Sequence, residues 1–393
     1  MASSELDCTA AILQGAKALG IVVMRFYLHI AVASLMIAIS HPAAATACVP
    51  VRQTVSLPLP GFDSPAEIVT PPAGMARRGA LVLFPGSDVA DRDGAIEGVG
   101  GKIVSRPMLQ IAGRLACAGY VSFRYNKRFV TGPTSVDRAK FDALNGVDFA
   151  ADGKTALNFV RSRAGIGKLP LGLVGWSEGT TTAMAVASND STVRTIVLIA
   201  PVVDTAAHVA QAQYGRIGRP YLMRFATDGA LDADAIARAD AGPGGDLAHI
   251  FVRMFRGFRP GKRVNPLLDR NGDGRIAFAE ADPVIASWYA DGPDSGLGMS
   301  SSSRALRGVS DAFAATTARI LILQGMNDSM IDPAAARAFV ARSDVRQRVT
   351  MILYPELGHS LGRAESAQND SLLPMESKPL DDMAKWLQKA DRR

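Results

Sequence analysis

The sequence predicts an α/β protein: a mostly parallel, doubly wound sheet with helices on both faces, interrupted once by a largely helical cap. Three observations predict it. Apolar runs of strand length, such as A-L-V-L-F at 80–84 and V-R-T-I-V-L-I-A at 193–200, alternate with stretches of helical spacing. One apolar run, L-P-L-G-L-V at 169–174, passes through G-W-S-E-G at 175–179 straight into the small-residue helical stretch 180–188. The rhythm stops at Pro201 and resumes at R-I-L-I-L-Q-G, 319–325.

In chain order, residues 1–47 read as a secretory signal. Arg25 precedes a short apolar region, and Ala45-Thr46-Ala47 supplies an A-x-A cleavage site. Met24 is an alternative start. The apolar run is shorter than the roughly 20 residues that span a bilayer, so no stable membrane span is expected after processing. Cys48 directly after the cleavage site also offers a lipidation position, though Ala45 stands where a leucine is usual. The expected location is secreted or periplasmic. Cys48 and Cys117 could form a disulfide there, and the spacing leaves this open.

Residues 48–201 carry the first part of the core. Two strands within 51–80 precede the buried strand 80–84, which ends in the glycine loop P-G-S-D-V-A-D-R-D-G at 85–94. A helix at 107–118, a strand at 120–125, a helix at 148–163 and the strand before G-W-S-E-G follow. Residues 202–315 form the cap. Residues 316–393 complete the core, with a helix at 333–342, a strand at 349–354 and a last helix near 376–389. With 48% hydrophobic and 20% charged residues the composition is globular. The net charge of +6 is scattered, and no nucleic-acid motif accompanies it, so a nucleic-acid partner is not expected.

Strand, sharp turn and helix around Ser177 make a nucleophile elbow. A serine hydroxyl is a weak nucleophile until a base takes its proton. Of five histidines, His359 alone lies on a loop after the last core strand, in P-E-L-G-H-S-L-G. Asp328, in the loop leaving 319–325, is the orienting acid that the order Ser, Asp, His requires. Asp332 before Pro333 reads as a helix N-cap, and Asp204 is the reserve acid. The oxyanion donors are the backbone N–H groups of Glu178 and, in the glycine loop, Ser87.

These residues resemble an α/β-hydrolase of the bacterial group with a G-S-x-x-x-D-R-D-G loop (Gly86–Gly94) and a G-x-S-E-G elbow (Gly175–Gly179). The run A-G-Y-V-S-F-R-Y-N-K-R at 118–128 is similar to that group's strand and loop. The resemblance covers about 48–200 and 316–393. It implies hydrolysis of an ester, thioester or related acyl bond of a small molecule by a serine hydrolase. Two positions depart from it: Pro85-Gly86 replaces the usual His-Gly, and Arg128-Phe129 the usual Arg-Gly. The same triad serves serine peptidase-like and acyl-transferring relatives.

The cap holds D-R-N-G-D-G-R-I-A-F-A-E at 269–280, which fits a twelve-residue EF-hand loop. Asp269, Asn271 and Asp273 are side-chain ligands, Arg275 gives its carbonyl, and Glu280 closes the sphere for Ca²⁺. No partner loop is evident, so the expected role is structural. No organic cofactor is expected. The competing reading from another class is a calcium-dependent binding protein on a hydrolase scaffold without activity.

Overall fold

A computed structural model of the chain describes residues 48–87, 89–98, 101–188, 190–257, 263–289 and 306–391. The segment 1–47, read above as a signal, lies outside the described residues.

The central sheet has eight strands: β1 (Val51–Leu59), β2 (Phe62–Thr70), β3 (Gly79–Phe84), β4 (Tyr120–Tyr125), β5 (Leu171–Trp176), β6 (Val193–Ile199), and, after the cap, β9 (Arg319–Gly325) and β10 (Val349–Tyr354). Strands β7 (Ala230–Asp232) and β8 (Arg275–Ala277) form a separate ribbon in the cap. The spatial order of the large sheet is β1-β2-β4-β3-β5-β6-β9-β10. Only β2 runs against its neighbours. This is the α/β-hydrolase fold.

Strands β3, β4 and β5 are buried at every position. Their side chains alternate between two cores. Leu81 and Leu83 face Met108, Ile111 and Leu115 of α1 (Pro107–Cys117) and Met383 and Leu387 of the last helix, α10 (Ser377–Ala390). Ala80, Val82 and Phe84 face Leu157 and Val160 of α2 (Gly146–Ser162) and Met184 of α3 (Gly179–Ser188). Each large apolar side chain so buried contributes about 1.5–3 kcal/mol. Asn145 and Asp148 form a capping box that starts α2. Cys48 and Cys117 are each disulfide-bonded.

The cap has a core of its own. It is built from α4 (Ala206–Gln213), a five-residue π-helix (Tyr214–Gly218), α5 (Arg219–Met223), α6 (Ala233–Asp240), α7 (Asp246–Arg256) and α8 (Phe278–Trp288). Val309, Ala312 and Phe313 pack instead with the sheet, so the chain rejoins the main core before 315. The loop 269–280 does have a pairing partner, contrary to expectation. Leu231 of β7 pairs with Ile276 of β8, and two residues earlier in each strand stand Gly229 (φ 71°) and Gly274 (φ 81°). Each strand leads directly into a helix, α6 or α8. The two loops are related in form, but the first has Arg224 where Asp269 stands and Ala235 where Glu280 stands.

Past the cap, Asp332 accepts the N–H of Ala334 at 2.9 Å and caps α9 (Pro333–Ala341), as expected.

Candidate active site

Strand β5 runs two residues further than its apolar pattern indicates, through Gly175 and Trp176, and delivers Ser177 at its end. Ser177 has φ 55°, in the left-handed region that non-glycine residues rarely occupy. Its N–H donates to the carbonyl of Ile199 at 2.9 Å, and its carbonyl accepts from Thr180 N–H at 2.9 Å, so the turn is held on both sides. A Cβ on Gly179 would overlap the carbonyl oxygens of Phe84 and Pro85, and one on Gly175 would overlap the carbonyl of Gly179. The elbow can pass the β3 loop only with glycine at both places. Gly179→Ala therefore destabilises the protein by about 1–3 kcal/mol or more. Its effect is to be measured as a fall in Tm together with lost turnover.

Asp328 and His359 meet in the structure. Asp328 leaves β9 and His359 follows β10. His359 Nδ1 lies 3.0 and 3.1 Å from the two carboxylate oxygens of Asp328, with both residues buried. Nδ1 faces the Asp328 carboxylate, which leaves Nε2 as the ring nitrogen not engaged by it. Asp328 also accepts N–H groups from Met330 (2.9 Å) and Ile331 (2.8 Å) and the Nε2 of Gln324 (2.9 Å). His359 is tied to the elbow through Trp176, whose Nε1 donates to the carbonyl of His359 at 3.0 Å. Asp204 is exposed at a bend and has no part in this contact.

Burial alone would lower the pKa of His359. The Asp328 carboxylate, by charge and hydrogen bond, and then Asp370 outweigh burial and raise it above 6.5. Asp370 went unmarked in the sequence. It is buried, and one of its oxygens accepts the His359 N–H at 2.8 Å and both the N–H and the hydroxyl of Ser329 at 3.1 Å. It thus joins the His359 loop to the Asp328 loop. Burial, followed by the nearby Asp328 charge, raises its own pKa.

The glycine loop after β3 lies against Ser177. A Cβ on Gly86 would stand 3.4 Å from that of Ser177 and 3.1 Å from the Trp176 ring. Ser87 follows in that loop, and Glu178 follows Ser177. The two stretches of the family resemblance clamp each other here. Asn126 accepts the Arg92 N–H at 2.8 Å, and Lys127 N–H donates to Ala90 at 3.0 Å. Arg124, fully buried in β4, binds the carboxylates of Asp93 and Glu67. Lys127 also reaches the elbow, with Nζ 2.8 Å from a carboxylate oxygen of Glu178. Arg128 forks onto buried Asp152. Phe129, at the departure from Arg-Gly, has φ 67°, which explains why glycine suits that position.

In the cap loop, Asp269 accepts the N–H of Gly272 (3.0 Å) and Gly274 (3.1 Å), and Asp273 accepts that of Arg275 (2.8 Å). Asn271 accepts the N–H of Asp273 at 2.9 Å. Glu280 stands two residues into α8, and its Oε2 is buried with no hydrogen-bond partner among the described residues. No three His, Cys, Asp or Glu side chains converge as a metal site among the described residues.

Residues 100–365, more than half of the chain, match the family described as serine aminopeptidase, S33. No curated protein matches the sequence. Among solved structures, Est1E of Butyrivibrio proteoclasticus with ferulic acid bound is similar at 12% identity and TM-score 0.48, covering 86% of this chain and all of that one. An esterase of Pyrococcus furiosus is similar at 10% identity and TM-score 0.47, covering 86% of this chain and 91% of that one. Dipeptidyl peptidase 4 of Porphyromonas gingivalis shares 15% identity at TM-score 0.44, covering 86% of this chain and 35% of that one. With the family's match spanning residues 100–365, the chain belongs to the serine aminopeptidase S33 family of α/β-hydrolases and is a serine hydrolase.

Proposed function

We propose that this hydrolase cleaves a carboxylic ester or related acyl bond of a small molecule through an acyl-enzyme on Ser177. The observation that carries the reading is the buried Asp328–His359 pair, tied through Trp176 to a serine in the strained turn of an elbow. His359 Nε2 takes the proton of Ser177 Oγ as that oxygen attacks the acyl carbon. The N–H groups of Glu178 and Ser87 receive the developing oxyanion, each worth about 2.7–4 kcal/mol. Collapse breaks the bond to the leaving oxygen, which carries off the proton held by His359. Water, deprotonated by His359, then releases the acid and restores Ser177.

Two observations favour an ester over the peptide that the family's description names. An aminopeptidase needs an anionic seat for the substrate's ammonium group. Among the described residues, the buried carboxylates beside the triad are engaged, Glu178 with Lys127 and Asp370 with the amides of His359 and Ser329. Matched alkyl esters and peptides with free N-termini separate the two readings. Ester turnover without peptide cleavage is expected. Peptide cleavage at comparable kcat/KM overturns the assignment.

The same proposal includes a structural Ca²⁺ in the cap, held by Asp269, Asn271, Asp273, the Arg275 carbonyl and Glu280. The orphaned buried oxygen of Glu280 fits the closing, bidentate ligand of such a loop. A site of extracellular type binds at about 10⁻⁴–10⁻³ M, and calcium a hundredfold above Kd adds about 2.7 kcal/mol. Chelation is expected to lower Tm, and Glu280→Gln to abolish the calcium-dependent part of the shift. An unchanged Tm on chelation contradicts the site. Secretion or a periplasmic location completes the reading, supported by the disulfide bonding of Cys48 and Cys117.

A further inference from the structure

The cap reaches the catalytic acid through one helical segment. Gln213 closes α4, and the π-helix Tyr214–Gly218 follows without a break. Gln213 Nε2 donates to the carbonyl of Met330 at 2.9 Å. Arg216 Nη2 donates to the carbonyl of Asp328 at 3.0 Å, and its Nε stands 3.7 Å from the Asp332 carboxylate. The side chain of Asp328 already closes the inner side of this loop by accepting from Met330 and Ile331. The outward carbonyls of the same loop are held by the cap. A π-turn is an uncommon arrangement that is frequent at functional sites. Here it sits where one short segment must serve two partners. Tyr214 donates to Asp282 of α8 at 2.7 Å, Arg219 pairs with Asp282 at 3.0 Å, and Arg216 between them faces the acid loop.

We propose that Arg216 is a positioning residue for the hydrolytic reaction: from the cap it holds the main chain of Asp328, and through it the orientation of His359. This rests on the Ser177, Asp328 and His359 reading of the centre. The contacts of Arg216 are with the Asp328 carbonyl and the Asp332 carboxylate, not with the Ser177 hydroxyl or the His359 ring, among the described residues. It acts by keeping the Asp328 carboxylate where both oxygens reach Nδ1. Losing its donors leaves the Asp328 carbonyl without this partner and frees the loop to shift, and a misplacement of about 1 Å costs on the order of 100-fold in rate.

The test compares wild type, Arg216→Met and Gln213→Leu on one alkyl ester, with fluorophosphonate labelling and a pH profile of kcat/KM. Arg216→Met is expected to lower kcat and the labelling rate by about 10- to 100-fold with KM nearly unchanged. The acidic limb set by His359 should move to lower pH, because its partner is less well placed. Gln213→Leu should move both quantities in the same direction by less, and it keeps the test decisive if Arg216→Met does not fold. Unchanged kcat and pH limb in folded protein overturn the proposal. So does a change confined to KM, which makes Arg216 a substrate contact, or a loss that only follows the folded fraction. If wild type itself takes no label, the triad reading has failed rather than the role of Arg216.

Discussion

Ser177→Ala lowers kcat for ester hydrolysis by about 10⁶-fold and leaves Tm within a degree of wild type. The size follows from the unit character of a triad: without the nucleophile the remaining groups have nothing to activate. The fold is unaffected because the replaced group is a single hydroxyl. The hydrogen bonds that hold the elbow, Ser177 N–H to Ile199 and Thr180 N–H to the Ser177 carbonyl, belong to the main chain. Alanine has the same left-handed cost as serine at φ 55°. Steady-state rates paired with a melting curve check both halves. Retained turnover in folded S177A places the chemistry elsewhere.

Asp328→Asn is expected to cost about 10⁴-fold in kcat. One carboxylate oxygen accepts from Met330, Ile331 and His359, and the other from Gln324 and His359. An asparagine that keeps its oxygen toward the Met330 and Ile331 amides turns its NH₂ toward the Gln324 NH₂ and cannot accept on that side. The imidazole is then no longer held with its proton on Nδ1. The pH dependence should change as well. In wild type the neutral base is needed, so activity rises with pH through a His359 pKa held above 6.5 by Asp328 and Asp370 against burial. In D328N burial prevails and the residual limb moves to lower pH. Stability follows the linked sign. A raised histidine pKa adds stability that is full below 6.5 and fades as pH rises through the folded value. D328N should therefore lose more stability, relative to wild type, at pH 5.5 than at pH 9. Rate profiles and melting curves at several pH values measure both effects.

The residues whose roles follow from local pattern were legible in the sequence. Buried strands declare themselves as apolar runs, and a glycine-flanked serine between strand and helix needs no distant information. Asp328 and His359 follow from chain order once Ser177 is set. Contacts made by tertiary approach were not legible. Asp370 lies 11 residues after His359 in the polar stretch A-Q-N-D-S with no periodic mark, yet folds beneath it. Lys127 meets Glu178 across 51 residues, and Arg216 meets Asp328 across 112. The ribbon partner of the cap loop was hidden for a different reason. Its glycine, apolar position and following helix remain, but the ligand positions that make such a loop recognisable are Arg224 and Ala235. Strand β5 was read two residues short because Gly175 ends the apolar run, although the backbone there still pairs with Leu198 and Phe84.

The measurement that bears most directly on the central claim is the mass of the protein after treatment with a fluorophosphonate, followed by peptide mapping. One adduct per chain is expected, on the peptide holding Gly175–Gly179, with labelling that accelerates as pH rises through the His359 pKa and is absent in Ser177→Ala. An adduct on another residue, or none on folded and calcium-loaded protein, contradicts an activated Ser177 and returns the chain to a binding role on a hydrolase scaffold.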